Sequence, residues 1–209
     1  MSKIAIFGGS FNPVHHGHRQ VVEEVLGRGV VDEVWLLPVG NHAFGKALAP
    51  AKNRLEMLEL FIQNLSAAAG ASKGTTQNTS AAQKIKICDY ELSQEVSFTY
   101  ETLQYLRATY PQHDFVFLMG GDQLVNFSQW RDYKKLANEF KILVYPRLTQ
   151  QNLAEQAALC QQYVLHFLTD FPVIAISSTN ARAAAADPTQ LTALLGESIA
   201  DYIIKHKLY

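Results

Sequence analysis

Three of the seven histidines in this chain, His15, His16 and His18, crowd into one short stretch. They close the segment Gly8-Gly9-Ser10-Phe11-Asn12-Pro13-Val14-His15-His16-Gly17-His18, which follows the apolar run Lys3 to Phe7. Imidazoles three apart at a helix start face the same way. A helix start also carries unpaired N–H groups and the positive end of the macrodipole, so the His15–His18 pair makes a cationic or donor-rich pocket for phosphate oxygens. Gly8 and Gly9 let the backbone approach such an anion closely. Half a metal site is the competing reading of His-x-x-His, but no clear cluster of Cys, His or acid completes it. Neither the Gly-x-Gly-x-x-Gly fingerprint nor a Gly-Lys-Ser/Thr P-loop is present.

A second polar set lies far along the chain. Ile176-Ser177-Ser178-Thr179-Asn180-Ala181-Arg182 follows the apolar stretch Val173 to Ile176. Hydroxyls there cap a helix or face an anion, and Arg182 sits on the first turn, where its fork reaches a phosphate. Alone, this set reads as a plain cap with a solvated arginine. Between the two sets, Met119-Gly120-Gly121-Asp122 ends another apolar run. Asp122 can accept from ribose hydroxyls or serve as a helix cap. Trp130, further on, is a core residue by default and a stacking surface for a planar ring by chemistry.

The elements that must position these residues alternate. Lys3–Phe7 reads as a buried strand, and Val21, Val22, Val25 and Leu26 mark a helix ended by Gly27 and Gly29. Val31–Val39 is a second strand. Leu55, Leu58, Phe61, Ile62 and Leu65 stripe a helix that begins near Pro50. Further strands are expected at Ile85–Leu92, Phe115–Met119, Ile142–Tyr145 and Val173–Ile176. Helices are expected around Leu103 and Leu106, over Asn152–Tyr163, and at the tail, where Ile199, Tyr202 and Ile203 share a face. The alternation predicts a single α/β domain with a doubly wound parallel sheet. Residues 66–83 hold no large apolar side chain and read as a flexible surface insertion.

Composition sets outer limits. The 209 residues carry 18 Lys+Arg against 19 Asp+Glu, and at 48% apolar the chain is too hydrophobic for general disorder. A net charge of −1 offers no broad basic face for nucleic acid. No apolar run approaches the ~20 residues that span a bilayer. Two cysteines and no signal-peptide pattern predict a reducing, cytoplasmic setting.

The histidine segment resembles the nucleotidyltransferase signature G-G-[S/T]-F-[D/N]-P-x-H-x-G-H, with His16 at its variable position, and Ile176–Arg182 is similar to the I-S-S-T-x-x-R element of the same superfamily. Asn12 stands where Asp is commoner, and Ala181 where the superfamily has a larger aliphatic residue. Ser97-Phe98-Thr99-Tyr100-Glu101-Thr102-Leu103 resembles the S-[Y/F]-T-x-x-T-L element of nicotinate and nicotinamide mononucleotide adenylyltransferases. Gly120-Gly121-Asp122, Trp130 and the ending Tyr202 to Tyr209 match that family too.

The resemblance implies transfer of AMP from ATP to nicotinate or nicotinamide mononucleotide, with pyrophosphate released. It implies catalytic roles for His15, His18 and Arg182. ATP contacts are implied for those three with Gly8, Gly9, Ser10 and Phe11, and for Gly120, Asp122, Ser178 and Thr179. Asn12, Lys46, Arg54, Phe98, Thr99 and Trp130 would bind the mononucleotide, and Mg²⁺ would be held through substrate phosphates. Pro38-Val39-Gly40 with Lys46 resembles the nicotinamide-using form, which leaves both pyridines open. The alternatives are a phosphopantetheine adenylyltransferase or cytidylyltransferase of the same superfamily, or a non-catalytic nucleotide-binding module.

Overall fold

The computed structural model describes residues 1–40, 48–71, 82–148 and 152–209. Its strands are β1 (Ser2–Gly9), β2 (Glu33–Pro38), β3 (Ile85–Ile87), β4 (His113–Gly120), β5 (Lys141–Tyr145) and β6 (His166–Phe167). They form one parallel sheet in the order β3-β2-β1-β4-β5-β6. The order reverses between β1 and β4, and the crevice beyond the carboxyl ends of those two strands is where such sheets bind ligands.

Period-two alternation along the central strands gives the sheet two apolar faces. Ile4 and Ile6 of β1 share a core with Phe115 and Phe117 of β4, and with Trp35 and Leu37 of β2. Helices α3 (Thr99–Thr109), α4 (Tyr133–Glu139) and α5 (Leu153–Tyr163) cover that face through Leu103, Leu106, Leu136 and Cys160. Ala5, Phe7, Leu36, Val116 and Leu118 point the other way. They meet α1 (His16–Gly27), α2 (Ala51–Ala71), α7 (Pro188–Leu195) and α8 (Glu197–Lys205). A short α6 (Ser178–Ala183) joins the same layer through Ala181. Among the described residues, no helix is long and apolar enough to cross a membrane.

Several expected elements move. Strand β3 ends at Ile87, with one further sheet bond from Cys88 N–H to the Leu36 carbonyl at 2.8 Å. The chain then forms a 3₁₀ turn at Tyr90–Ser93, because Glu91 is drawn inside to accept from Thr102 Oγ1 at 2.8 Å. Val173–Ile176 is not a strand: Ile174 makes only an isolated bridge to Arg147. Pro146 and Pro172 supply no N–H to a ladder there, and His166–Phe167 takes the place beside β5. Helix α2 runs on to Ala71, through the start of the expected insertion, and Ala82–Lys84 is a 3₁₀ turn. Residues 72–81 lie outside the described residues.

Leu118 lies fully buried on the central strand β4. Its replacement by Ala should cost about 2–5 kcal/mol in urea unfolding, through lost burial and the cavity left behind. Ile204→Ala, at a position 46% exposed, should stay within about 0.5 kcal/mol of wild type.

Candidate active site

The loop between β1 and α1 must pass from a buried strand to a buried helix start, so its polar groups need partners. It finds them in distant segments. Ser178 Oγ donates to the Pro13 carbonyl at 2.9 Å, and Arg182 Nη1 to the Asn12 carbonyl at 2.7 Å. Asn12 Oδ1 accepts from Ala49 N–H at 2.9 Å and from the Tyr209 hydroxyl at 2.6 Å. Arg54 is buried beneath, donating to the carbonyls of Ser10, Val39 and Ala49 at 2.8–3.1 Å.

Above this loop, at the β1–β4 switch point, lies a cavity of about 530 Å³. Gly8, Gly9, Ser10, Asn12, His15 and His18 line one side. Ser178, Thr179 and Arg182 close it from α6, while Gly120 and Asp122 reach it from the end of β4. Phe98, Thr99 and Trp130 line the same cavity and make up its aromatic part, the ring lobe. Residues from both ends of the sequence thus meet in one crevice.

Two expected contacts, Phe11 and Arg54, do not line the cavity. Phe11 is buried with a left-handed backbone (φ 44°), and its ring supports His18 from behind at 5.0 Å between centroids. Arg54 spends its guanidinium on backbone carbonyls and does not line the cavity, so its role is to brace the loop. Lys46 lies outside the described residues. His16 stands half-buried on α1, away from the cavity wall.

The two cavity histidines stack, with ring centroids 3.7 Å apart and planes 26° from parallel. Gly17 makes room for this: a Cβ there would come within 2.8 Å of Ile174 and 3.0 Å of the His15 ring. His15 N–H donates to His18 Nδ1 at 3.1 Å, so that nitrogen is unprotonated and Nε2–H is the ring's donor. Burial, reinforced by Arg147 and His16, holds the His15 pKa down at about 3. Burial, then His15 and Arg147, puts His18 well below its ordinary value. The pair is therefore neutral at pH 7. It is a donor pocket; the cationic alternative read from sequence does not hold before an anion arrives.

Fixed positive charge at the cavity comes from Arg182 and from one residue that sequence reasoning passed over, Arg147. Arg147 lines the cavity with a side chain only 12% exposed; its Nη1 donates to the Ile176 carbonyl at 2.8 Å, and its Nε lies 3.4 Å from Asp122 Oδ1. Gly120 admits this pair, since a Cβ there would collide with Asp122 Oδ1 and come within 2.9 Å of Arg147 Cγ. His15 Nδ1 and Arg147 Nε are buried without a hydrogen-bond partner, as atoms awaiting a ligand would be. The available signal was positional: Arg147 follows the β5 strand just as the histidine segment follows β1 and Gly120-Gly121-Asp122 closes β4. Glu91 and Ser97 also line the ring lobe, and burial raises the Glu91 carboxyl above its ordinary value.

With this geometry in place, comparison with known proteins is decisive. The family model described as cytidylyltransferase-like matches residues 6–184. A Clostridium acetobutylicum protein named "probable nicotinate-nucleotide adenylyltransferase" is 31% identical over 216 residues, with both chains covered completely. The chain belongs to this cytidylyltransferase-like family, in its nicotinate-nucleotide adenylyltransferase branch. A Leptospira borgpetersenii relative with the same name is 32% identical, over 98% of this chain and 95% of its own. Plasmodium falciparum nicotinic acid mononucleotide adenylyltransferase, solved in complex with NaAD, shares the fold: the TM-score is 0.78 at 23% identity, covering 100% of this chain and 98% of that one.

The neutral histidines give this adenylyltransferase-family protein a pH signature. Their folded-state pKa values lie below the ordinary 6.5, so the unfolded chain binds more protons as pH falls from 6.5 toward about 3. Stability is full above that window and declines through it, by up to about 1.4 kcal/mol per pH unit for each histidine. Urea unfolding between about pH 5 and 6.5, where carboxylates stay mostly ionised, should show this slope, and His15→Gln should reduce it.

Proposed function

We propose that the cavity binds ATP and a pyridine mononucleotide together, nicotinate mononucleotide or its nicotinamide counterpart, and joins them into a dinucleotide. The observation that carries this is one crevice lined both by His15, His18, Arg147 and Arg182 and by a half-buried indole. Trp130 is fixed edge-on against Phe117 at 6.0 Å and tilted on Phe127 at 5.6 Å, and it still lines the cavity. A rigid flat surface beside phosphate donors suits an acceptor with a planar ring. Phosphopantetheine and polyol phosphates have none.

In the reaction, an oxygen of the mononucleotide 5′-phosphate attacks the α-phosphorus of ATP, and the bond to the bridging oxygen breaks to release pyrophosphate. The attacking oxygen is already ionised at neutral pH, so no protein base is needed. Catalysis then rests on positioning and on donors aimed at developing charge. Neutral His18 offers Nε2–H to the phosphates, His15 supports it by stacking, and Arg147 and Arg182 supply fixed charge. Ser178 and Thr179 hold the wall they share with Arg182, and Gly8–Ser10 lets the triphosphate lie close to the backbone. Asp122, at the end of β4, accepts from ribose hydroxyls in this reading. Phe98, Thr99 and Trp130 hold the pyridine ring, and Asn12 shapes the loop between the two substrates.

The donor set fits Mg²⁺ held through substrate phosphates. Asp122 is already paired with Arg147, and among the described residues no group of three or more His, Cys, Asp or Glu gathers into a cage. When bound, the ion supplies charge neutralisation across phosphate oxygens. Free Cys88 and Cys160 suit the cytoplasm, where we place the reaction.

Pyrophosphate release should be measured with ATP and Mg²⁺ against nicotinate mononucleotide, nicotinamide mononucleotide and phosphopantetheine. Turnover is expected with a pyridine mononucleotide, and EDTA should abolish it. His18→Ala should lower kcat about 100-fold, as loss of a transition-state donor does. Silence with all three acceptors would return the chain to the binding-module reading.

A further inference from the structure

The ring lobe carries a charged group that the proposed reaction does not use. Arg131 follows Trp130 directly, and its guanidinium lies 4.6 Å above the Phe98 ring centroid. Phe98, Trp130 and Arg131 all line the cavity, so this cation stands at the wall where the pyridine ring would lie. Stacking on Phe98 restrains a long side chain that is otherwise 57% exposed. Its two ion pairs are loose: Nη2 is 3.5 Å from Glu101 Oε1, and Nε is 3.9 Å from Asp132 Oδ2. Charge-assisted pairs close to about 2.7–2.9 Å, so neither carboxylate engages the fork tightly. Asp132 is itself drawn to Lys135 at 2.9 Å.

Glu91 also lines the cavity. Burial favours the neutral form of Glu91, whose carboxyl accepts from Thr102 and Ser97. Of Arg131 and its two loose partners, only Arg131 lines the cavity. The two candidate acceptors differ at one ring substituent: nicotinate carries a carboxylate there and nicotinamide a neutral carboxamide. A planar guanidinium with donors to spare binds the first through charge-assisted, fork-like hydrogen bonds and gains little from the second.

We propose that Arg131 is a specificity-determining residue that selects a pyridine mononucleotide with an anionic ring substituent, nicotinate over nicotinamide. This inference rests on the pyridine mononucleotide reading above. The wild-type enzyme should show the higher kcat/KM with nicotinate mononucleotide. Arg131→Gln should shrink the nicotinate-to-nicotinamide ratio of kcat/KM by about tenfold, the size of one partly exposed charge-assisted contact, mainly through KM for nicotinate mononucleotide. Arg131→Lys should restore part of that ratio. Glu101→Gln removes a competing carboxylate outside the cavity wall and should raise the ratio about twofold.

A side chain that merely propped Phe98 would lower both substrates alike. An unchanged ratio, equal losses on both, or a wild-type preference for nicotinamide would each overturn the assignment of Arg131 and leave the adenylyltransferase reading standing. Absence of turnover with both mononucleotides in the wild type would instead overturn that reading, and this inference with it.

Discussion

The structure depends on how the Ser10–Pro13 loop satisfies its buried polar groups. An unpaired carbonyl or amide in that position costs on the order of 1–3 kcal/mol, and this loop has several. Each is met by a different part of the chain: Arg54 from α2, Ala49 before it, Ser178 and Arg182 from α6, and Tyr209 beyond α8. Those bonds hold the layer of α2, α6 and α8 to the end of β1. They also hold His15 and His18 at a fixed height above the sheet. Asn12 suits the hub because its neutral amide presents an acceptor to Ala49 and Tyr209 without burying a charge.

The same burial sets the electrostatics. Two imidazoles packed face to face beside an arginine cannot both hold protons cheaply, so the pair stays neutral and offers N–H donors. Permanent charge is supplied by Arg147 and Arg182, each tied to a backbone carbonyl. A chain of net charge −1 can thus gather donors and two arginines in one sheltered crevice, because a local arrangement of charge is independent of the average over the surface. The ring lobe repeats the arrangement on a smaller scale, with Phe98 and Trp130 as walls and Arg131 as the cation.

Much of the fold was legible in the sequence because buried parallel strands and amphipathic helices leave periodic traces. The first strand and helix, the Phe115–Met119 strand and the tail helix are all present near their expected places. The misses have specific causes. Glu91 looked like part of a strand until its bond to Thr102 pulled it into a turn. Val173–Ile176 has strand composition, yet two prolines and a competing edge strand leave it a single bridge. Arg54 carried the charge expected of a phosphate ligand, and burial under three carbonyls gave it a bracing task instead.

By itself, the sequence determined the chemistry on offer: glycines and imidazoles after the first strand, hydroxyls and an arginine before the tail, and an aromatic set that includes Trp130. Residue type and spacing within one turn or loop are local facts, and local facts survive without coordinates. The tertiary structure decided which of these groups face the cavity and in what charge state. It set the neutrality of His15 and His18, the recruitment of Arg147 and Arg131, and the withdrawal of Phe11 and Arg54. Those outcomes depend on burial and on partners far away in the chain, and neither quantity exists until the sheet brings its strand ends together.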